Sequence, residues 1–198
     1  MCSEVGLRRA FLLFVSCGIL AISAAAQQPV AIDAERSTLT VHAYKSGLFS
    51  GFAHDHVVQG KIAKGSLRLG NAPAAELEIT AKDLKVLDPE LASDKRAEVQ
   101  QRMLGPDVLD AERFPSIRFR SSSIEAAGAG RWQVRGELSL HGQTQPIAFD
   151  VTKSGEGYVG RAMVKQRAFG IKPVSVAGGT VKVKDEVAVE FAIIPQSK

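Results

Sequence analysis

Apolar and polar residues alternate with a period of two along most of this chain. The clearest stretches are "STLTVHAY" (37–44), "AAELEITA" (74–81) and "RWQVRGELSL" (131–140). Successive side chains of a β-strand point to opposite faces, so this alternation predicts strands that bury one face and expose the other. The chain is therefore expected to be all-β.

Four further stretches show the same alternation: "GSLRLG" (65–70), "SIRFRSSSI" (116–124), "PIAFDVT" (146–152) and "EVAVEFAII" (186–194). Short glycine-containing turns lie between several of these stretches, which is typical of antiparallel neighbours. Such strands can bury their apolar faces by closing into a barrel or by stacking as two sheets.

One segment lacks the alternation and has helical signals instead. Asp88 and Pro89 suit the N-cap and the first position of a helix. Val99 and Met103 are four residues apart, and Gly105-Pro106 ends the pattern. We predict one helix between strands, placed where it could cover one end of a barrel.

The first residues are typical of a secretory signal peptide. Two arginines at 8–9 precede an uncharged apolar run at 10–23 and three alanines at 24–26. A membrane span needs about 20 apolar residues, so the run is too short to be one. We predict a signal peptide at 1–26, cleaved near Ala26, and a single domain at 27–198. The domain should be periplasmic or secreted and carry no transmembrane segment.

Cysteine and charge narrow the classes of function further. Both cysteines, Cys2 and Cys17, lie in the predicted signal peptide, so no disulfide, thiolate nucleophile or cysteine metal ligand is expected in the domain. The formal net charge is +4, with Lys and Arg scattered singly. This distribution argues against a nucleic-acid partner. No catalytic constellation stands out, and we expect no enzyme.

The segment "FAHDHVVQGKI" carries the paired histidines of the chain, His54 and His56. Residues two apart share one face of a strand, so both imidazoles should point to the barrel-lining face near its mouth. They could hydrogen-bond the polar head of a ligand, or simply bond backbone and water. As an alternative they could supply two ligands of a metal site, in a binding protein or in an enzyme, although no third ligand is identifiable and no firm metal site is predicted.

The apolar face of the strands is the main functional candidate. About eight strands enclose an interior that side chains just fill, or that holds one small ligand. Small residues on this face, Ala43, Ala75, Ala81 and Gly136, should leave space inside. The expected lining residues are Leu39, Val41, Leu67, Leu77, Ile79, Ile117, Phe119, Trp132, Val134, Leu138, Phe149, Val189 and Phe191.

Four ordered pieces of the chain resemble the YceI-like family across residues 31–194. They are "AIDAERSTLTVHAY", "VLDAERFPSIRFRSSSIE", "WQVRGELSLHGQTQPIAFDV", and "QRAFGIKP" followed by "VKVKDEVAVEFAI". The resemblance implies an antiparallel, lipocalin-like β-barrel whose interior binds a polyisoprenoid or similar amphiphile. It also implies export to the periplasm and a possible homodimer.

Three functions follow from these observations. The first is a carrier or storage barrel for an apolar lipid, with no other cofactor. The second is a metal-binding protein that uses His54 and His56. The third is a packed, empty barrel that acts on a partner protein through its outer surface.

Overall fold

The computed structural model describes residues 28–46, 55–176 and 181–197. Within them, one α-helix, α1, spans Ser93–Leu104, and two short 3-10 helices span Ala81–Asp83 and Gln166–Phe169. The strands are β1 (Val30–Ala31), β2 (Thr38–Ser46), β3 (His56–Gly60), β4 (Lys64–Arg68), β5 (Ala74–Thr80), β6 (Lys85–Val86), β7 (Ser116–Ala126), β8 (Arg131–Leu140), β9 (Gln143–Ser154), β10 (Gly157–Lys165), β11 (Ser175–Val176) and β12 (Val181–Ile193).

The strands form one antiparallel sheet that curls around a hollow interior. Its order is β1-β4-β5-β7-β8-β9-β10-β12-β2-β3-β6, with β11 paired to β12. Strands β3 and β4 lie next to the two ends of this order, yet only residues 61–63 separate them along the chain. The chain itself therefore joins the two ends of the sheet. The predicted class, an antiparallel all-β barrel with one helix, is confirmed.

The strand count differs from the prediction of about eight. The described residues contain twelve strands, of which β1, β6 and β11 are two residues long. Strands β3 and β4 are the two halves of one bent segment, because β3 pairs with β2 and β4 pairs with β5. Eight long segments therefore build the wall, and the short strands only extend its edges.

All seven alternating stretches lie in strands, but the sequence pattern did not identify β10. Tyr158, Ala162 and Val164 of β10 face the interior, as the pattern requires. The outward positions, however, carry Val159 and Met163, which are exposed apolar residues. Apolar side chains on both faces remove the alternation that marks a half-buried strand.

The strand registers place the turns at two ends of the barrel. At one end lie α1, the β8–β9 turn at 141–142 and the 3-10 helix at 166–169; we call this the helix end. The other end carries the turns at 69–73, 127–130 and 155–156, and we call it the opposite end. His56 pairs with Ala43 at the helix end.

The predicted helix is present, but its predicted start was wrong. It begins at Ser93, its N-cap residue is Ala92, and no side chain caps it. The side chain of Asp88 instead accepts hydrogen bonds from strand β3, so it is not available to a helix four residues further on. The predicted end is confirmed, because Gly105 is the C-cap residue.

Helix α1 is fixed to β6 and to the adjoining core. The Gln100 side chain accepts a hydrogen bond from the Val86 N–H and donates one to the Leu84 carbonyl, both at 2.8 Å. Val99 and Met103 pack against the apolar core of the barrel. The helix therefore covers part of the helix end, as the sequence predicted.

Candidate functional site: an apolar cavity inside the barrel

A cavity of about 420 Å³ occupies the interior of the barrel. Each of the eight long segments contributes to its wall. Among the described residues, Arg68, Tyr158 and Gln166 bring polar side chains to this wall, and the rest of the lining is essentially apolar. Ligand sites commonly have volumes of about 300–1,000 Å³ and a mostly apolar lining, so the cavity has the size and chemistry of a binding site.

The thirteen residues expected to line the interior all lie on the wall of this cavity. They are Leu39, Val41, Leu67, Leu77, Ile79, Ile117, Phe119, Trp132, Val134, Leu138, Phe149, Val189 and Phe191. The period-two pattern was enough to locate them, because it sorts each strand into an inner and an outer face. Their role in holding a ligand stays a prediction.

Several of these inward side chains are only half-buried although they face away from bulk solvent. Leu77, Phe119, Leu138 and Phe149 belong to this group. Side chains in a close-packed interior interdigitate and leave few voids larger than a water molecule. These inward side chains are therefore partly exposed because they border the cavity. A filled core would have buried them.

Of the four small residues expected to create that space, Ala43 and Ala75 line the cavity. For Ala81 and Gly136 the expectation was wrong. Ala81 is 1% exposed and does not line the cavity. A Cβ placed on Gly136 would lie 2.6 Å from Cε2 of Phe119, so the ring of Phe119 already occupies that space.

Three phenylalanines form a row across the wall. The ring of Phe149 lies 5.3 Å from that of Phe119 and 5.4 Å from that of Phe191, centroid to centroid. The outer two rings rest on glycines of neighbouring strands, Phe119 on Gly136 and Phe191 on Gly160. Aromatic rings covering glycines on adjacent strands fix the strand register, so the row shapes the cavity.

Residues outside the alternating strands also reach the cavity. Met103 comes from α1, Val108 and Leu109 from the turn after it, and Ile171 from the segment after the 3-10 helix at 166–169. The sequence analysis named none of the four as lining residues, and for the last three the reason is that loops have no periodicity that assigns a residue to an inner face. The sequence did offer one signal: Val108, Leu109 and Ile171 are apolar although they stand beside the charged residues Asp107 and Lys172.

His56 does not occupy the head-group position that its spacing suggested. Its Nδ1 lies 2.6 Å from Oδ2 of Asp88, and its ring is not part of the cavity wall. Asp88 is buried, and its other oxygen accepts the Val57 N–H at 2.7 Å. The His56 ring therefore ties β3 to the segment that precedes α1. His54 lies outside the described residues.

The described part of the chain offers no observation in favour of a metal site. It contains no group of three His, Cys, Asp or Glu side chains placed to hold an ion. His42, the outward-facing histidine of β2, lies 3.6 Å from Glu190 on the outer surface. In the same residues, no helix is long and apolar enough to span a membrane.

Comparison with solved structures shows the same fold at low sequence identity. BcnA of Burkholderia cenocepacia aligns with a TM-score of 0.60 and 20% identity, over 82% of this chain and 98% of that one. A polyisoprenoid binding domain from Saccharophagus degradans aligns with a TM-score of 0.56 and 13% identity, over 85% of this chain and 98% of that one.

Sequence relatives belong to the UPF0312 proteins. One from Pseudomonas putida is 36% identical over 61 residues, which are 31% of this chain and only 32% of that protein. One from Shewanella baltica is 24% identical over 183 residues, covering 83% of this chain and 88% of that protein. Residues 31–194 match the family model of the YceI-like domain. On this match and the shared fold, the chain belongs to the YceI-like family.

Proposed function

We propose that this protein is an exported, non-enzymatic carrier that holds an apolar lipid, a polyisoprenoid or a similar amphiphile, in its cavity. The observation that carries the proposal is the 420 Å³ hollow with its apolar wall. Each methylene moved from water to such a surface contributes about 0.8 kcal/mol, so a long tail needs no specific polar contact to bind tightly. The polyisoprenoid binding domain from Saccharophagus degradans, which has the same fold, supports this class of ligand.

The cavity does not bear on export or on dimer formation. The basic, apolar and small-residue regions of residues 1–26 support cleavage and export. The possible homodimer stays a prediction from the family resemblance.

The direct test is organic extraction of natively purified protein followed by mass spectrometry. We expect an isoprenoid-type lipid in near-stoichiometric amount. Protein that yields no lipid and also fails to bind added farnesol would contradict the proposal. Elemental analysis of the same preparation would reveal bound metal, if the histidine pair served that purpose.

Filling the cavity should weaken binding without unfolding the barrel. Ala43 lines the cavity, so an Ala43→Phe ring would project into the space that the lipid needs. We expect farnesol affinity, measured by displacement of a fluorescent apolar probe, to fall at least about tenfold, or about 1.4 kcal/mol.

The matched control is Ala148→Phe. Ala148 is exposed on β9 between two inward-facing residues, so the same ring would there point into solvent. It should leave the affinity unchanged. Equal affinities of the two variants would mean that the ligand binds elsewhere.

A further inference from the structure

The cavity reaches the surface of the protein at the opposite end of the barrel. Near the helix end the lining residues Val164, Ile171 and Val187 are buried. At the opposite end Leu69 also lines the cavity, yet it is 38% exposed, and Trp132 is only half-buried. Helix α1 covers part of the helix end, whereas no helix of the described residues covers the opposite end. The mouth of the cavity therefore lies at the opposite end.

Two apolar turns border this mouth. The turn at 69–73 precedes β5, and the turn at 127–130 follows β7, the strand that pairs with β5. Neither turn contains a charged residue, and Leu69 and the alanines of both turns are exposed. Asp, Asn and Ser usually supply polar side chains in such turns, and here only Asn71 does so. The edge of the mouth is therefore apolar.

An arginine stands beside each of these turns. Arg68 comes directly before the turn at 69–73, and Arg131 directly after the turn at 127–130. A Cβ placed on Gly128 would lie 3.3 Å from Nη2 of Arg131, so this guanidinium lies along its own turn. The apolar edge is therefore flanked by positive charge.

Lys153 adds a third cation at the mouth. Its Nζ lies 5.1 Å from the centre of the Tyr158 ring, which lines the cavity. A Cβ placed on Gly130 would lie 3.6 Å from Cβ of Lys153, so this lysine also adjoins the turn that Arg131 follows. We call Arg68, Arg131 and Lys153 the mouth cations.

The mouth cations are not neutralised by the glutamates near them in the fold. Glu125 is paired with Arg135 at 2.9 Å, and Glu156 with Arg36 at 2.5 Å. None of the mouth cations forms an ion pair with a described residue. The mouth therefore combines exposed apolar side chains with an excess of positive charge.

We propose that the mouth docks on the surface of an anionic lipid bilayer. Leu69 and the alanines of the two turns enter the head-group region, and the mouth cations contact the phosphates of the lipids. Burial of apolar side chains and attraction to anionic lipids together hold a protein at a bilayer surface. The inference rests on the proposed function, because docking in this orientation lets an apolar ligand pass between the bilayer and the cavity without crossing water.

The chain contains a single tryptophan, Trp132, and its place at the mouth provides the test. Natively purified protein is mixed with vesicles of phosphatidylcholine alone or with an equal part of phosphatidylglycerol, in which some of the phosphatidylcholine carries a nitroxide on its head group. We expect binding to the anionic vesicles to be at least about tenfold stronger and to weaken with salt. The nitroxide should quench the fluorescence of Trp132 in the bound protein.

Two pairs of variants identify the docking surface. Replacing all three mouth cations by glutamine should weaken binding to the anionic vesicles at least about tenfold. Arg102→Gln, Lys165→Gln and Lys172→Gln together remove the same charge from exposed positions at the helix end and should leave it unchanged. Leu69→Ser should weaken binding about fivefold. Met163→Ser changes a similarly exposed residue on the barrel wall and should have no effect.

Several results would overturn the docking proposal. They are equal binding to both kinds of vesicle, vesicle-bound protein whose Trp132 is not quenched, and an equal loss of binding in the helix-end variant. A dimer in solution that dissociates when the mouth cations are replaced would assign the surface to a second copy of this chain and also overturn it. Protein that ignores the vesicles but yields a lipid on extraction would leave the lipid carrier standing. Protein that docks as expected but neither yields a lipid nor binds farnesol would contradict the carrier and keep the docking surface.

Discussion

Replacing Gly136 by valine is expected to destabilise the barrel by about 3 kcal/mol, because the site has no space for a side chain. A Cβ there would lie 2.6 Å from the Phe119 ring and would also contact the Arg120 carbonyl oxygen. The ring could rotate away, but the carbonyl belongs to the neighbouring strand and cannot move without disturbing the sheet. The measurement is the free energy of unfolding from urea denaturation.

Glu137→Val is the control on the same strand. Glu137 is exposed on the outer face, so its replacement should change the free energy of unfolding by no more than about 0.5 kcal/mol. Combining Gly136→Val with Phe119→Ala tests the cause. If the clash with the ring contributes, the double variant loses less stability than the sum of the single variants. Full tolerance of Gly136→Val would mean that Phe119 does not rest on this glycine.

The strands, the fold class and the cavity wall could be predicted because all three depend on which side chains face inward. The direction of each side chain can be inferred from its immediate neighbours in the sequence. On β8 the residues Trp132, Val134 and Leu138 alternate with polar neighbours, and the strand has the bounds of this alternating stretch. β10 shows the limit of this reasoning. Met163 is 44% exposed, and its apolar character therefore says nothing about which face is inside.

The errors concern residues whose role depends on a partner far along the chain. Gly136 was expected to leave a gap, but Phe119 of the adjoining strand fills it. Asp88 was expected to cap the helix that follows it, but its partners are His56 and Val57, about 30 positions earlier. No periodic pattern encodes such pairs, because they arise only when the strands have paired.

Helix α1 covers the helix end, and Asp88 fixes the segment that leads to it. Its side chain is 3% exposed and accepts two hydrogen bonds, from the His56 ring and from the Val57 N–H. The backbone N–H of Leu87 also donates to the Val57 carbonyl, so this segment continues the pairing with β3 just before the helix. Loss of the Asp88 carboxylate should therefore weaken the attachment of the helix as well as the barrel.

Asp88→Ala is expected to lower the free energy of unfolding by about 3 kcal/mol. The change removes the buried acceptor of two donors on half-buried residues, the His56 ring and the Val57 N–H, and each donor left without a partner costs about 1–3 kcal/mol. Asp88→Asn keeps one carbonyl oxygen for the Val57 N–H and should lose only about 1 kcal/mol. Asp83→Ala removes an exposed carboxylate nearby and should have little effect.

Hydrogen exchange of the α1 amides distinguishes local from global loosening. If Asp88 holds the helix against β3, Asp88→Ala should speed exchange in α1 more than in the central strands β8 and β9, since opening of one segment needs less free energy than global unfolding. A uniform increase would mean that the carboxylate supports the barrel as a whole. An Asp88→Ala variant as stable as the wild type would show instead that the His56 ring and the Val57 N–H find other acceptors, and that the pair does not attach the helix.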